Sequence, residues 1–387
     1  MKREELHSRI LGFIGLTISL MGLWSCSSDD SAEPAKVKTT AEVQLTSYVT
    51  GFEEAKGVTR TWTPPTGYST LDDISDKNIS VFLTQHPVPE NMEEEFFFQR
   101  GDKWLVSKEM TPAGSTYYLY GYIPHDASIK SSINLLTGKT YADGAVLTLK
   151  NMPAITTNDI CVIVGAKNGQ SADDDNGLTT GQFGYTSAAH NFVFLLFDHL
   201  YSSINVRFSV DEEYNKLRTI KLKKLELQAQ VLTNELTGAK TPLKRKTQAV
   251  ITLKGTTDGS SPIESIAFTP DENSGNADEP LFVSAEGQTL LSDDFSDFTG
   301  NFMSQGVSDF TIRSTYDVYD KKPDGTDGNL IRENCVAENK VNILQLFAPV
   351  KTASRKTRYT VKMTVNPTYL YVLSEADLDN PSITISN

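Results

Sequence analysis

The chain has 387 residues, long enough for two domains, and 39% of them are hydrophobic, which suits a protein with a sizeable core. Its formal net charge of −13 argues against a nucleic-acid partner, because binding to phosphates requires a basic surface. The basic stretches Lys221–Lys224 and Lys244–Lys246 lie beside alternating apolar residues, and we interpret them as solvated strand faces.

The N-terminus has the pattern of an export signal. A charged region from Lys2 to Arg9 precedes the apolar stretch ILGFIGLTISLMGLW at 10–24. This stretch is too short and too interrupted to span a bilayer as a permanent helix. We therefore expect residues 1–25 to be a lipoprotein signal peptide and the rest of the chain to be exported.

Cys26 stands directly after this signal. The sequence LWSC, residues 23–26, resembles a lipobox, in which the cysteine thiol receives a diacylglyceryl group and the cysteine becomes the new N-terminus; Trp24 is bulkier than the usual residue at its position. The acidic SSDD that follows resembles the export tag of surface lipoproteins in Bacteroidia-type bacteria. The alternative is a buried cysteine. We predict an acylated, palmitate-carrying anchor in the cell outer membrane, followed by a polar tether over 26–40.

Almost every segment after the tether alternates apolar and polar residues, which predicts half-buried β-strands. The first set of predicted strands comprises AEVQLTSYV at 41–49, NISVFLTQ at 78–85, EEFFFQRGDKWLVS at 94–107, STYYLYGYIP at 115–124, GAVLTLKNM at 144–152 and NDICVIVGAK at 158–167. Gly101-Asp102, between two apolar runs, predicts a hairpin turn, which also accounts for the integrin-type tripeptide Arg100-Gly101-Asp102. The Asp-rich stretch at 171–184 lacks the twelfth-position carboxylate of a calcium loop and is predicted to be a solvated turn.

A second set of strands begins near the middle of the chain. It comprises NFVFLLFDHLYSSINVRFSV at 191–210, RTIKLKKLELQAQ at 218–230, QAVITLKG at 248–255, PLFVSAEG at 280–287, SDFTIRSTYDVYD at 308–320, VNILQLFAP at 341–349 and RYTVKMTVNPTYLYVLS at 358–374. A short helical turn is predicted in SVDEEYNKLR, 209–218. We predict an all-β protein with two antiparallel β-sandwich domains, an N-terminal one at 41–195 and a C-terminal one at 196–387.

The motifs of common enzyme classes are missing: the sequence contains no GxSxG, Walker A loop, GxGxxG after a strand, or HExxH. No histidine spacing matches a metal motif, and His199 is interpreted as a packing residue. Cys161 is predicted to be a small core residue, and a disulfide with Cys335 is not favoured because the two lie in different predicted domains. We expect no catalytic residue, no metal and no cofactor.

Three segments carry a resemblance to a known family. KGVTRTWTPP at 56–65, after the lipobox and the first strand, resembles the fimbrillin family, the type V pilins of Bacteroidia. FDHLYSSINVRFSV at 197–210 and the C-terminal stretch at 364–387 are similar to segments of that family. The resemblance implies transthyretin-like sandwiches, a trypsin-like protease that cuts between Arg60 and Thr61, and assembly with other pilin subunits into a fimbrium that supports adhesion.

The resemblance also implies a mechanism of assembly by strand exchange. An edge strand containing Val43, Leu45 and Val49 would complete an apolar groove and leave after the cut. The best replacement is the tail of another subunit, where Ile383 and Ile385 alternate with polar residues. Pro381 is expected to stop the tail from pairing with its own body at that point and so to leave it free to reach out. A head-to-tail contact that does not close produces a filament.

Other functions remain open at this point. An uncleaved anchor or tip subunit would share all of these features. A surface glycan-binding lipoprotein would present exposed aromatic side chains, for which the candidates are Trp62, Trp104 and the tyrosines between 117 and 122. An esterase or glycosidase is a third alternative, because carboxylates can converge from distant positions.

Overall fold

The computed structural model describes residues 41–49, 52–55, 69–70, 77–89, 91–108, 116–169, 184–186, 192–256, 260–277, 282–289, 296–304, 306–370 and 375–386. The predicted signal, the tether, Cys26, Arg60, Thr61, Trp62 and most of the Asp-rich loop lie outside the described residues. Among the residues that are described, no helix is both long and apolar enough to cross a membrane.

Segments in which apolar and polar residues alternate form β-strands along almost all of the described chain. In the first half these are β1 (Ala41–Val49), β2 (Glu53–Glu54), β3 (Ser69–Thr70), β4 (Ile79–Thr84), β5 (Glu94–Arg100), β6 (Lys103–Val106), β7 (Thr116–Ile123), β8 (Lys130–Leu135), β9 (Gly144–Pro153), β10 (Ile155–Thr156), β11 (Cys161–Gly169), β12 (Gly184–Thr186) and β13 (Phe192–His199).

The second half continues in the same way. Its strands are β14 (Ser202–Val210), β15 (Arg218–Asn234), β16 (Ala239–Pro242), β17 (Lys246–Lys254), β18 (Ile263–Pro270), β19 (Phe282–Thr289), β20 (Ser296–Met303), β21 (Val307–Lys321), β22 (Asp327–Asn342), β23 (Thr357–Leu370) and β24 (Glu375–Ser386).

Two short helices interrupt the strands of the described residues. The predicted helical turn is confirmed as α1 (Glu212–Asn215), where the carboxylate of Asp211 accepts a hydrogen bond from the Tyr214 N–H at 3.0 Å. The prediction of a strand at 341–349 is wrong, because α2 (Ile343–Leu346) begins after Asn342, whose side chain caps the Gln345 N–H at 2.9 Å. A 3₁₀ turn covers Glu272–Ser274.

Seven strands of the largest sheet form a closed ring. They pair in the order β11-β13-β1-β6-β5-β4-β7, and β7 pairs again with β11. One face of these strands forms the ring core, with Ile79, Val81, Leu83, Phe97, Val106, Tyr117, Leu119, Ile123, Cys161, Ile163, Ala166, Val193, Leu195 and Phe197. Because the opposite face packs on another sheet, the ring core is the inside of the ring.

Gly121 on β7 shows how closely the strands of the ring approach one another. A Cβ atom at this position would lie 2.0 Å from the carbonyl oxygen of Ser80 and 3.1 Å from Ile163 Cδ1. A larger residue could therefore not be accommodated without moving the backbone of β4.

The outer face of the ring packs on a four-stranded sheet in the order β18-β17-β9-β8. Phe194 and Leu196 of β13 face this layer, while Val193, Leu195 and Phe197 face the ring core. Burial on both faces explains why NFVFLLF is a continuous apolar run instead of an alternating one.

The remaining sheets form a second pair of layers. One sheet has the order β10-β20-β14-β23-β2 with β24 also on β23, and the other has the order β16-β15-β21-β22 with β19 also on β15. Their shared core includes Val206, Phe208, Leu225, Leu227, Ile312 and Val361. This arrangement confirms the prediction of an all-β fold made of several antiparallel sheets, although β1–β13, β14–β23 and β2–β23 pair in parallel.

Strands from the two halves of the chain are interleaved. β17 and β18, at residues 246–270, complete the sheet of β8 and β9, whereas β10 pairs with β20. The contacts of residues 38–387 also group into one unit. The sheets do not divide at residue 195. The division of the chain into two domains near that residue stays a prediction.

Candidate functional site

The first described strand, β1, lies inside the ring and not at a sheet edge. It runs parallel to β13, with Gln44 opposite Phe192 and Val49 opposite Phe197. Its other side pairs with β6 at residues 41–43 and with β3 at residues 48–49. The predicted edge position is thus wrong, because both sides of β1 carry partners. The predicted residues Val43, Leu45 and Val49 all lie in these registers.

The strand directions single out β1 within the ring. A closed ring of seven strands cannot be antiparallel throughout, because direction must alternate an even number of times. The one parallel contact among the described pairs of the ring is β1–β13, while its other pairs are antiparallel. Without β1, β13 and β6 would run antiparallel to each other with a gap between them.

The chain continues from β1 to the second pair of layers. β2 runs parallel to β23, with Glu53 opposite Thr357 and Glu54 opposite Arg358. The N–H groups of Glu53 and Ala55 donate hydrogen bonds to the carbonyls of Lys356 and Arg358 at 2.9 and 3.0 Å. The segment 41–55 therefore bridges the ring and the sheet of β23.

The C-terminal tail lies on the same edge of β23. β24 pairs antiparallel with β23, placing Ile383 opposite Val365 and Ile385 opposite Met363. Pro381 itself has no partner in the printed register, as expected at that point, but the tail pairs with β23 on either side of it, so the expectation that the tail is left free is wrong. Pro381 falls within a register irregularity between Asn366 and Thr368, where the ladder tolerates a residue without an N–H.

A buried ion pair joins two parts of the fold that we call the platforms: the ring, which contains β1, and the sheet of β23, which carries β24. The Asp198 side chain on β13 is fully buried and bonds to Arg355 Nη1 at 2.8 Å, with Lys356 Nζ 3.7 Å away. Its other oxygen accepts the His199 backbone N–H at 3.0 Å. Arg355 and Lys356 directly precede β23, so the FDHL segment joins the ring to the start of β23.

His199 forms the end of β13 and lies under the N-terminal segment. Its ring stacks on Phe52 with centroids 3.8 Å apart. Its Nδ1 atom lies 2.6 Å from Asp159 Oδ2 and 3.5 Å from Cys161 Sγ. Cys161 is a buried, free thiol of the ring core, as predicted, and burial together with the nearby Asp159 carboxylate raises its pKa well above the ordinary value.

This grouping was not predicted from the sequence. His199 was correctly expected to be a packing residue with satisfied contacts, but its neighbours lie about forty positions upstream. The pairing of β11 with β13 places Cys161 directly opposite His199, and Asp159 lies two residues before Cys161. The signal that could have found the grouping is the i, i+2 spacing of Asp159 and Cys161 combined with a known strand register.

A second polar cluster contains a serine, a histidine and a glutamate but lacks the geometry of a catalytic triad. Ser80 Oγ lies 2.9 Å from His125 Nδ1, and Glu94 Oε1 lies 3.8 Å from the same nitrogen. A nucleophile relay needs the two ring nitrogens to serve separate partners. Burial raises the pKa of Glu94, but hydrogen bonds with His125 and Ser80 more than offset this, so the pKa lies below its ordinary value.

The aromatic residues proposed for sugar binding are mostly buried. Tyr117, Tyr120 and Tyr122 have at most 2% of their surface exposed, and Trp104 packs against the ring core. Buried rings cannot stack on a glycan at the surface. Arg100-Gly101-Asp102 forms the exposed β5–β6 hairpin turn, confirming that prediction, with Gly101 at φ 66°.

The chain is similar to fimbrial and adhesion proteins of known structure. A fimbrial protein from Bacteroides vulgatus matches at 12% identity over 88% of this chain and 99% of its own, with a TM-score of 0.33. A Bacteroides fragilis protein provisionally named a cell adhesion protein matches at 12% identity over 89% and 97%, with a TM-score of 0.35. The fimbrial anchor protein Mfa2 from Porphyromonas gingivalis matches at 10% identity over 88% and 96%, with a TM-score of 0.27.

TM-scores this low do not by themselves establish a common fold. No family model and no curated protein sequence matches the chain. The function proposed below is therefore supported by the strands and contacts of the chain itself.

Proposed function

We propose that this protein is a structural subunit of a cell-surface fimbria and supports adhesion. It is exported as a lipoprotein that is acylated at Cys26 and held at the outer membrane. A trypsin-like protease cuts after Arg60, and the subunit then polymerises with other copies by donor-strand exchange. The protein acts through assembly and not through catalysis.

The observation that supports this proposal is the position of the N-terminal segment. Residues 41–55 contribute β1 to the ring and β2 to the edge of β23, and Arg60 follows five residues later. A cut after Arg60 would sever the covalent link that holds both strands to the rest of the chain. Their departure would open the ring between β13 and β6 and leave unpaired backbone groups beside an apolar core.

The tail offers a replacement strand of suitable length. β24 spans twelve residues, against nine in β1, and pairs on one side with β23. In our proposal, the tail leaves β23 and enters the opened ring of the next subunit. Exchange is favourable because the tail trades one paired side for a position between two strands and covers the ring core.

The cut is tested with Arg60→Ala, using Arg100→Ala as the matched control, since Arg100 is an exposed arginine in the β5–β6 turn. We expect the first variant to accumulate as intact lipoprotein without filaments and the second to behave like wild type. The readouts are negative-stain microscopy of the cells and mass spectrometry of the N-terminus of shed material. Normal filaments from Arg60→Ala, or filament subunits that retain residues 41–55, would contradict the proposal.

An uncleaved anchor or tip subunit is a second candidate. It is favoured by the tail, because β24 is accommodated on its own β23 and Ile385 is half-buried against the core. Deletion of residues 375–386 distinguishes the two roles. A shaft subunit without its tail should fail to polymerise, whereas an anchor or tip should still be found attached to filaments of other subunits.

A further inference from the structure

The mouth of the ring beside β2 brings together three side chains that can ligate a metal ion. They are Asp159, Cys161 and His199, and one ligand atom from each lies within 4.8 Å of the other two. This is the one such group among the described residues. Thiolate, imidazole and carboxylate together are the donor set of zinc sites, whereas Mg²⁺ and Ca²⁺ prefer oxygen ligands alone.

We propose that Asp159, Cys161 and His199 form a binding site for a divalent ion of the zinc class. The three residues leave one coordination position for water or for a ligand from outside the chain. Its three ligands all lie after Arg60 and therefore stay with the subunit if residues 41–55 leave, although Phe52, which stacks on His199, would leave with that segment.

The distance between the ligand atoms of Cys161 and His199 fits a tetrahedral ion. With metal–sulfur and metal–nitrogen bonds of about 2.3 and 2.1 Å, the two ligand atoms should be about 3.5 Å apart. The observed separation of Cys161 Sγ and His199 Nδ1 is 3.5 Å. The sulfur and the ring nitrogen are therefore already separated by the distance that a shared ion requires.

Asp159 requires a small movement that its position allows. Its Oδ2 lies 2.6 Å from His199 Nδ1, as in a hydrogen bond, and a bound ion would replace the proton between them and widen this gap. The residue precedes β11, and its side chain is 24% exposed, so it also provides a path for the ion to enter. Its other oxygen, Oδ1, is buried without a hydrogen-bond partner, which is a costly arrangement that an ion would relieve.

The surroundings hold the histidine in place. Phe52 stacks on its ring at 3.8 Å, and its backbone N–H is fixed by Asp198 Oδ1 at 3.0 Å. The pairing of Cys161 with His199 across the β11–β13 ladder sets the distance between their backbones. A preorganised pair on a rigid ladder is the form expected of a metal site that does not depend on loops.

The test uses Co²⁺ and Zn²⁺ with the purified protein. We expect Co²⁺ to produce the near-ultraviolet absorption band of a thiolate bound to cobalt, and Zn²⁺ to abolish that band by competition. Cys161→Ser should remove the band. Cys335→Ser is the matched control, because Cys335 is the other free thiol among the described residues and lies on β22, and it should retain the band.

Asp159→Asn separates loss of binding from loss of folding. The variant is expected to stay folded, because the side chain is partly exposed and the amide has the same shape as the carboxylate. It should weaken Co²⁺ affinity at least about tenfold while leaving the circular dichroism spectrum unchanged. His199→Gln should do the same or more. Absence of a band in the wild type, survival of the band in Cys161→Ser, or unchanged affinity in Asp159→Asn would overturn the proposal.

Discussion

The two terminal strands of the described chain differ in how they are held. β1 lies within a closed ring and pairs with β13 on one side and with β6 and β3 on the other. β24 lies at the edge of an open sheet, and β23 is its one strand partner among the described residues. The N-terminal segment and the tail nevertheless meet the same element, because β2, which follows β1, and β24 occupy successive stretches of one edge of β23.

This difference indicates which strand can leave spontaneously. An edge strand is released by breaking one ladder, whereas removal of β1 breaks ladders on two sides and opens the ring. Edge strands and chain ends are also the parts of a protein that open most easily. In an intact subunit the tail should therefore detach more readily than β1, and a covalent cut would be needed to make β1 exchangeable.

The largest effect is expected from Arg355→Ala, which breaks the ion pair between the two platforms. The carboxylate of Asp198 would stay buried, with Lys356 Nζ still 3.7 Å away as a partial substitute. We expect a loss of about 3 kcal/mol in the free energy of unfolding, measured by urea denaturation. Lys351→Ala, at an exposed pair with Glu235, should cost less than about 1 kcal/mol. Equal losses in the two variants would show that the buried pair contributes no more to stability than an exposed one.

Phe52→Ala probes the attachment of the N-terminal segment. Loss of the stack on His199 should reduce the free energy of unfolding by about 2 kcal/mol, since the Phe52 side chain is only partly buried. Amide exchange should accelerate at Glu53 and Ala55, whose N–H groups bond to the start of β23. The Asp211 N–H, bonded to Val365 further along β23, is the internal control and should exchange at its wild-type rate.

Ile385→Ala probes the attachment of the tail. Ile385 packs partly buried against the core, so its truncation should cost about 1 kcal/mol. The neighbouring Thr384 is exposed, and Thr384→Ala should change the free energy of unfolding by less than about 0.5 kcal/mol. The comparison is made by urea denaturation, and the reverse order would mean that the two side chains of β24 face the opposite way.

The smallest effect concerns a region that carries neither terminal strand. Burial raises the pKa of Asp309 on β21, but hydrogen bonds with Lys240, Asn342 and Ser308 lower it more, so the pKa lies below its ordinary value of about 4. The stabilisation is therefore present at neutral pH and is lost as the pH falls through the lowered pKa. Asp309→Asn should cost about 1 kcal/mol or less at pH 7. Urea denaturation at successively lower pH should show this gap closing as the pH falls through the lowered pKa, and a gap that stays constant would exclude Asp309 as the titrating group.

Several elements could be predicted from local sequence because local physics decides them. Alternation predicted β4 and β7, Gly101-Asp102 predicted the β5–β6 turn, and the stretch SVDEEYNKLR predicted the helical turn α1. The strand β22 was missed because most of its residues are polar and only one is fully buried, so it lacks a clear apolar face. Its strand conformation comes from pairing with β21 along almost its whole length.

The long-range partners of strands could not be predicted in the same way. Alternation places Cys161 and Asp159 on one face, but nothing in the sequence tells which strand lies opposite them. The same limit applies to Pro381, whose lack of an N–H predicted an unpaired tail. The tail nevertheless pairs with β23, because an irregularity in the ladder accommodates the proline.

The amino-acid sequence by itself determined that the chain is all-β and located those strands whose side chains alternate, and it is the source of the predicted export signal and cleavage site. These properties depend on neighbours a few positions apart, through side-chain alternation, turn chemistry and apolar length. Only the tertiary structure decided that β1 completes a ring, that β2 and β24 share one edge of β23, and that Asp159, Cys161 and His199 converge. A strand's hydrogen-bonding edges are chemically alike in every sequence, so the choice of partner is made by the packing of whole sheets.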